Sequence, residues 1–183
     1  MGETATKEIM ESITERRSWR KYTGEQVSKE DLEKIIKCMQ NAPTGVDFQS
    51  YDFYVVTNKE KLAEIAKLTF DSLPEQFKFH VPSPDFIFYG APAVIFIQGT
   101  RKYREDCYRF DIGTILTSGA VAAESLGLGS CIVGLVSAVD PNSVKPILGS
   151  ASSEPLYALL VGNKDPSFVP ADKPINHRVS VNN

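Results

Sequence analysis

Histidine is nearly absent: His80 and His177 are the only two in 183 residues. So few, so far apart, they exclude a His-built metal centre. Cysteine is scarce as well. Cys38, Cys107 and Cys131 are odd in number and widely spaced, which excludes both a disulfide framework and a zinc pattern. Three ordinary thiols in a reducing cytoplasm are the expectation. There is no excess of positive charge. The formal net charge is −3, so the footprint of generic nucleic-acid binding is missing. No apolar run approaches the roughly 20 residues that cross a bilayer, and residues 1–9 carry no hydrophobic leader. No membrane partner and a cytoplasmic location are therefore expected. What remains is an ordinary composition, 42% hydrophobic and 23% charged, long enough for a single domain over residues 1–183 with one sizeable core.

The most unusual stretch is Arg16-Arg17-Ser18-Trp19-Arg20, which holds three guanidiniums, a hydroxyl and the only tryptophan. Arginine presents a planar fork of donors that matches phosphate oxygens bidentately and stays charged at any working pH. Such a run is either a solvated face or an anion site. It follows a short amphipathic helix over residues 7–17 with Ile9, Met10 and Ile13 on one side. A helix C-terminus does not favour an anion, so side chains would do most of the binding.

Ser28 caps a second helix, with Asp31 three residues on as a shortened capping box. Leu32, Ile35, Ile36 and Met39 form its core-facing stripe, and Pro43 stops it. The loop Pro43-Thr44-Gly45-Val46-Asp47-Phe48-Gln49-Ser50 is rich in donors and acceptors. It either lines a ligand or is a plain connection. A strand follows over residues 51–57. Asn58 then caps a helix that turns Leu62, Ile65, Ala66 and Thr69 inward. Residues 70–90, with Pro74, Pro82 and Pro84 among Phe77, Phe79, Phe86 and Phe88, read as a long excursion with room for a short helix. It roofs a pocket, packs on a partner, or simply packs.

Residues 91–98 are apolar throughout, a strand buried on both faces. After a charged lead-in over residues 101–106, residues 110–126 are apolar nearly all round, a helix in mid-core or one that meets a second chain. Its small residues Gly113, Ser118, Gly119 and Ala120 permit close approach. Gly127 suits the helix C-cap. The glycines at 127, 129 and 134 do not form a dinucleotide fingerprint; they let backbone lie against a flat ligand. Asp140-Pro141 opens a short helix. Residues 156–161 form another buried strand, and a polar, proline-rich tail with Lys164, Lys173 and Arg178 follows. That tail frays or is held by another subunit.

Taken together, these motifs resemble the nitroreductase family of FMN flavoproteins. The resemblance rests on Arg16-Arg17-Ser18-x-Arg20 after the first helix and on Ala42-Pro43-Thr44-Gly45-Val46-Asp47-Phe48-Gln49 running into a strand. It rests also on an Ala-rich helix followed by Gly127-Leu128-Gly129-Ser130-Cys131 and Gly134, and on a last strand into Gly162 with a basic tail. The four in this order cover essentially the whole chain.

The resemblance implies an α+β fold: a nitroreductase-like central mixed, mainly antiparallel sheet flanked by helices, in an intertwined homodimer with two FMN sites built from both chains. Carried over, Arg16, Arg17, Ser18 and Arg20 hold the phosphate and ribityl chain. Pro43, Thr44 and Gly45 come from the partner beside the isoalloxazine, with Asp47 and Gln49 as further contacts of that loop. Gly129, Ser130, Val133, Gly134 and Leu135 lie along the ring, and Lys173 or Arg178 reaches the phosphate from the tail. NAD(P)H then serves as co-substrate, and a nitroaromatic, quinone or similar small molecule accepts electrons. The chemistry belongs to FMN, so no side chain is needed as a nucleophile. There are two departures from the family pattern: Asp47 replaces the usual Asn, and Ser50-Tyr51 replaces a Pro-Trp-like pair. An ionised Asp cannot donate to flavin as Asn does. The competing expectations are a specialised branch, flavin-modifying or dehalogenase-like, and a non-catalytic flavin binder.

Overall fold

The computed structural model describes residues 9–100, 105–175 and 179–181, with residues 105 and 106 as backbone only. Helix α1 (Ile9–Glu15) leads to the arginine segment. Helix α2 (Lys29–Gln40) starts where Ser28 Oγ accepts the Asp31 N–H at 3.1 Å. Asp31 does not complete a capping box; its carboxylate takes Lys34 Nζ at 3.1 Å instead. Strand β1 (Tyr51–Val56) and helix α3 (Lys59–Ser72) follow, the latter capped by Asn58. The proline-rich excursion contains two single-turn helices, α4 (Glu75–Lys78) and α5 (Asp85–Phe88). Strand β2 (Ala93–Gly99), the long helix α6 (Glu105–Ser125), strand β3 (Gly129–Val133), helix α7 (Pro141–Leu148) and strand β4 (Leu156–Gly162) complete the order.

The four strands make one sheet in the order β1-β2-β4-β3, with every neighbouring pair antiparallel. A parallel bridge between Ser18 and Ser130 adds the arginine segment to the β3 edge, so the sheet is mixed but mainly antiparallel. The two central strands are buried on both faces because alternate residues enter different cores. Ala93, Ile95, Ile97, Leu159 and Val161 pack with α2 and α6, while Val94, Phe96, Ala158 and Leu160 pack with α3, α5 and the segment after β3. Each large side chain fully buried here contributes about 1.5–3 kcal/mol of transfer free energy.

Three features bear on the expectations above. The apolar residues of α1 do not enter a core within the chain: Ile9, Met10 and Ile13 are exposed, and Ser12 is the buried residue. Helix α6 does not sit in mid-core, and of the two alternatives the one left is a stripe that meets a second chain. Ile112, Ile115, Leu116, Ala120 and Ala123 are buried, but Phe110, Gly113 and Thr117 on the opposite stripe are exposed. The glycine-rich segment after α6 is not only a helix end. Gly127 does adopt the left-handed C-cap conformation at φ 77°, but residues 129–133 form a strand paired with β4.

Candidate functional site

The arginine segment is laid against the sheet edge by its backbone. The Trp19 N–H donates to Ser130 O at 2.8 Å, and the Tyr22 OH donates to Trp19 O at 2.8 Å. Gly129 has to be glycine: a Cβ there would stand 2.8 Å from Trp19 Cγ. The first part of the tail returns along the other side. Tyr22 bridges Lys164, and the Thr23 N–H donates to Asn163 O at 3.1 Å. Lys164 Nζ lies 2.8 and 2.9 Å from the two oxygens of buried Glu124 at the end of α6, and 5.4 Å from the Trp19 ring centre. Residues 163–168 are therefore neither frayed nor left to another subunit.

These contacts gather the cations. Arg16, Arg17, Ser18, Arg20 and Lys173 line one cleft of about 320 Å³, with Asp172 also on its wall. Arg17 Nη1 donates to Thr14 O at 2.9 Å and to Arg16 O at 3.0 Å, closing the carbonyl end of α1. Arg20 stands 6.0 Å over the Tyr89 ring. Beneath them lies Cys131. Burial pushes its thiol up, and the Arg20 charge, the Ser18 hydroxyl and the Arg16 charge act in the opposite direction. Three guanidiniums, an ammonium and a hydroxyl in a small cleft suit a phosphate-sized dianion.

The polar loop lies elsewhere. It enters β1, whereas the arginine segment bridges β3, and these are the two edges of the sheet. Three strand spacings, about 14 Å, separate them. The loop carries a short helical turn over Gly45–Asp47. Val46, Asp47 and Gln49 all have positive φ, at 50°, 55° and 41°. Thr44 Oγ1 accepts the Gln49 N–H at 3.1 Å, and Thr44, Gln49 and Tyr51 line a cavity of about 200 Å³.

The sequence model of the nitroreductase family matches residues 13–163. This chain belongs to the nitroreductase family. An FMN reductase [NAD(P)H] of Bacillus subtilis is 27% identical over 96% of this chain and 72% of its own. The FMN reductase (NADPH) of the same organism is 27% identical over 85% and 68%. An FMN-dependent nitroreductase of Clostridium difficile superposes with a TM-score of 0.77 at 25% identity over 95% of this chain and 99% of its own. A nitroreductase with bound FMN from Bacteroides fragilis gives 0.81 at 23% identity, over 96% and 99%.

Within this nitroreductase-family chain the residues singled out from sequence fall into three groups. Arg16, Arg17, Ser18, Arg20, Gly129, Ser130 and Lys173 cluster at the β3 edge. Val133, Gly134 and Leu135 sit at the far end of β3, about 13 Å along the strand from Gly129. Pro43, Thr44, Gly45, Asp47 and Gln49 sit before β1. Arg178 lies outside the described residues. Asp47 accepts a hydrogen bond from the Gln49 amide, and the Thr44 and Ser50 hydroxyls also bond within the loop. Sequence reasoning missed Cys131, Glu124, Asp172 and Asp111. Cys131 closes the motif Gly127-Leu128-Gly129-Ser130-Cys131 but its place under the arginines depends on Ser18, Arg16 and Arg20, more than a hundred residues earlier, and Glu124 and Asp111 likewise bond partners far off in the chain.

Proposed function

We propose that two copies of this chain hold FMN between them and use it to pass a hydride from NAD(P)H to a small acceptor such as a nitroaromatic or quinone. The observation that carries this reading is the cleft of Arg16, Arg17, Ser18, Arg20 and Lys173, whose charge and size suit the terminal phosphate. FMN, when bound, supplies the hydride relay. The chain's part is to bind, orient and neutralise. The guanidiniums fix the phosphate; the backbone of Gly129, Ser130 and residues 133–135 offers a strand edge along which a flat ring can lie; the 43–49 loop of the second copy closes the site.

The dimer is supported by what one chain leaves uncovered. Ile9, Met10 and Ile13 on α1 and Phe110 on α6 are exposed apolar side chains beside an open stripe of Gly113 and Thr117. Val169, Ile175, Val179 and Val181 in the tail are also exposed. The two halves of the site, at opposite sheet edges, are brought together only by a second copy. Three free cysteines suit a reducing cytoplasm.

An anaerobic titration of FMN-loaded protein with NADH and with NADPH tests the reading. Bleaching of the flavin band by either, reversal by a nitroaromatic or quinone, and parallel double-reciprocal lines are expected. Protein that takes up no FMN, or is a monomer by light scattering, would overturn it.

A further inference from the structure

Asp111 is fully buried on α6. Its Oδ1 accepts the Gly45 N–H at 2.8 Å, and its Oδ2 accepts the Tyr51 OH at 2.7 Å. Both carboxylate oxygens thus serve the segment that carries the polar loop into β1. One turn further along α6, the Thr114 hydroxyl lies 3.0 Å from Pro43 O and 2.7 Å from Asp111 O, with one proton for the two carbonyls. At the loop's far end Ser50 O accepts the Thr100 N–H at 2.9 Å, and within the loop the Asp47 N–H donates to Thr44 O, the Phe48 N–H to Gly45 O, and the Gln49 N–H to Thr44 Oγ1.

The loop needs external anchors. Three of its residues with side chains adopt left-handed backbone, and one of them, Val46, is β-branched. Such conformations are sterically costly and persist where the surroundings fix them. A buried carboxylate is costly too unless its oxygens are satisfied, and charge-assisted bonds are the strongest available to a backbone N–H. Tyr51 remains a donor at working pH, since burial and then the bond to Asp111 push its phenol above the ordinary range.

We infer that Asp111 is a positioning residue: acting through Gly45 and Tyr51, it holds the 43–50 loop in the one shape that presents Thr44 and Gln49 to the ligand. This rests on the flavin reading of that loop given above. Asp111 touches neither ligand nor reacting atoms; it acts only through the backbone and the phenol it binds.

The test uses the full chain with Asp111→Ala, Asp111→Asn and Tyr51→Phe. Amide hydrogen exchange is followed in cofactor-free protein, and FMN affinity by fluorescence quenching. In Asp111→Ala, exchange at Gly45, Asp47, Phe48 and Gln49 should rise at least tenfold while β2 and β4 stay protected, and the FMN Kd should rise at least tenfold. Asp111→Asn keeps an acceptor for the Gly45 N–H and should restore most of its protection. Tyr51→Phe should loosen the loop in the same direction, less strongly. Folded Asp111→Ala with wild-type exchange in the loop and wild-type Kd overturns the inference. If Asp111→Ala does not fold, Tyr51→Phe decides, and unchanged loop exchange there overturns it. If wild-type protein takes up no FMN, the functional reading fails by that result alone, and the exchange data still decide whether Asp111 clamps the loop.

Discussion

Lys164 Nζ bonds both carboxylate oxygens of Glu124, at 2.8 and 2.9 Å, joining the start of the tail to the end of α6 behind the arginine cleft. Glu124 is 4% exposed, so the ammonium neutralises a charge that water does not reach. Lys164→Ala should lower unfolding free energy by about 2 kcal/mol, because it removes a charge-assisted partner of both oxygens of a buried carboxylate. Adding Glu124→Gln should recover much of that loss. Urea denaturation of the single and double variants checks both statements.

Arg16→Ala and Arg20→Ala should each weaken FMN binding by about 10- to 100-fold, the range of a charge-assisted bond to phosphate. Raising salt should weaken the wild type more than either variant. Arg17→Ala should also fray α1, since Arg17 binds the Thr14 and Arg16 carbonyls. Fluorescence titration at two ionic strengths and circular dichroism separate the two effects.

Asp47→Asn should raise the midpoint potential of bound FMN, because a negative charge near the ring disfavours reduction. The substitution leaves one side-chain oxygen at position 47, and the Gln49 amide keeps its acceptor only if that oxygen holds the present rotamer. Potentiometric titration of both proteins reads the shift. Identical potentials and identical FMN affinity would put the Asp47 carboxylate clear of the ring.

Gly129→Ala should cost about 1–3 kcal/mol through overpacking against Trp19, whose Cγ would lie 2.8 Å from the new Cβ. The same push displaces the arginine segment, so FMN affinity should fall together with Tm. Thermal melts with and without FMN check the pairing.

Stability should fall on the alkaline side. Burial raises the Cys131 thiol and the Tyr22, Tyr51 and Tyr54 phenols, and pushes Tyr108 up to about 12. A raised acid holds its proton more tightly folded than unfolded. Its contribution is therefore complete below the unfolded value, near 9 to 10, and is lost as pH climbs toward the folded one. Denaturation midpoints between about pH 8 and 12 should show a plateau and then a decline, with part of the tyrosine absorbance change near 295 nm appearing only on unfolding.

Where a signal was local, the sequence carried it. Ser28 and Asn58 cap α2 and α3, and the stripes Leu32, Ile35, Met39 and Leu62, Ile65, Ala66, Thr69 are buried. Local periodicity cannot say what a stripe faces, which is why Ile9, Met10 and Ile13 proved exposed. Strand β3 was illegible because Gly129-Ser130 has poor strand propensity and is held extended by β4 and Trp19. Asp111 was illegible for the same reason: Gly45, its partner, lies 66 residues earlier. Of the two tail candidates, Lys173 lies on the cleft wall, and Arg178 falls outside the described residues.

Strand β4 is the last of the four to be synthesised, yet it sits between β2 and β3. A ribosome that has delivered residues 1–150 has therefore exposed β2 with one long edge open. That edge belongs to a wholly buried, mainly apolar strand, the arrangement most apt to pair with a stranger. Translation that stalls before Leu156 should yield aggregates rather than a smaller folded product, and the nascent chain should need shielding by a holdase until Gly162 emerges.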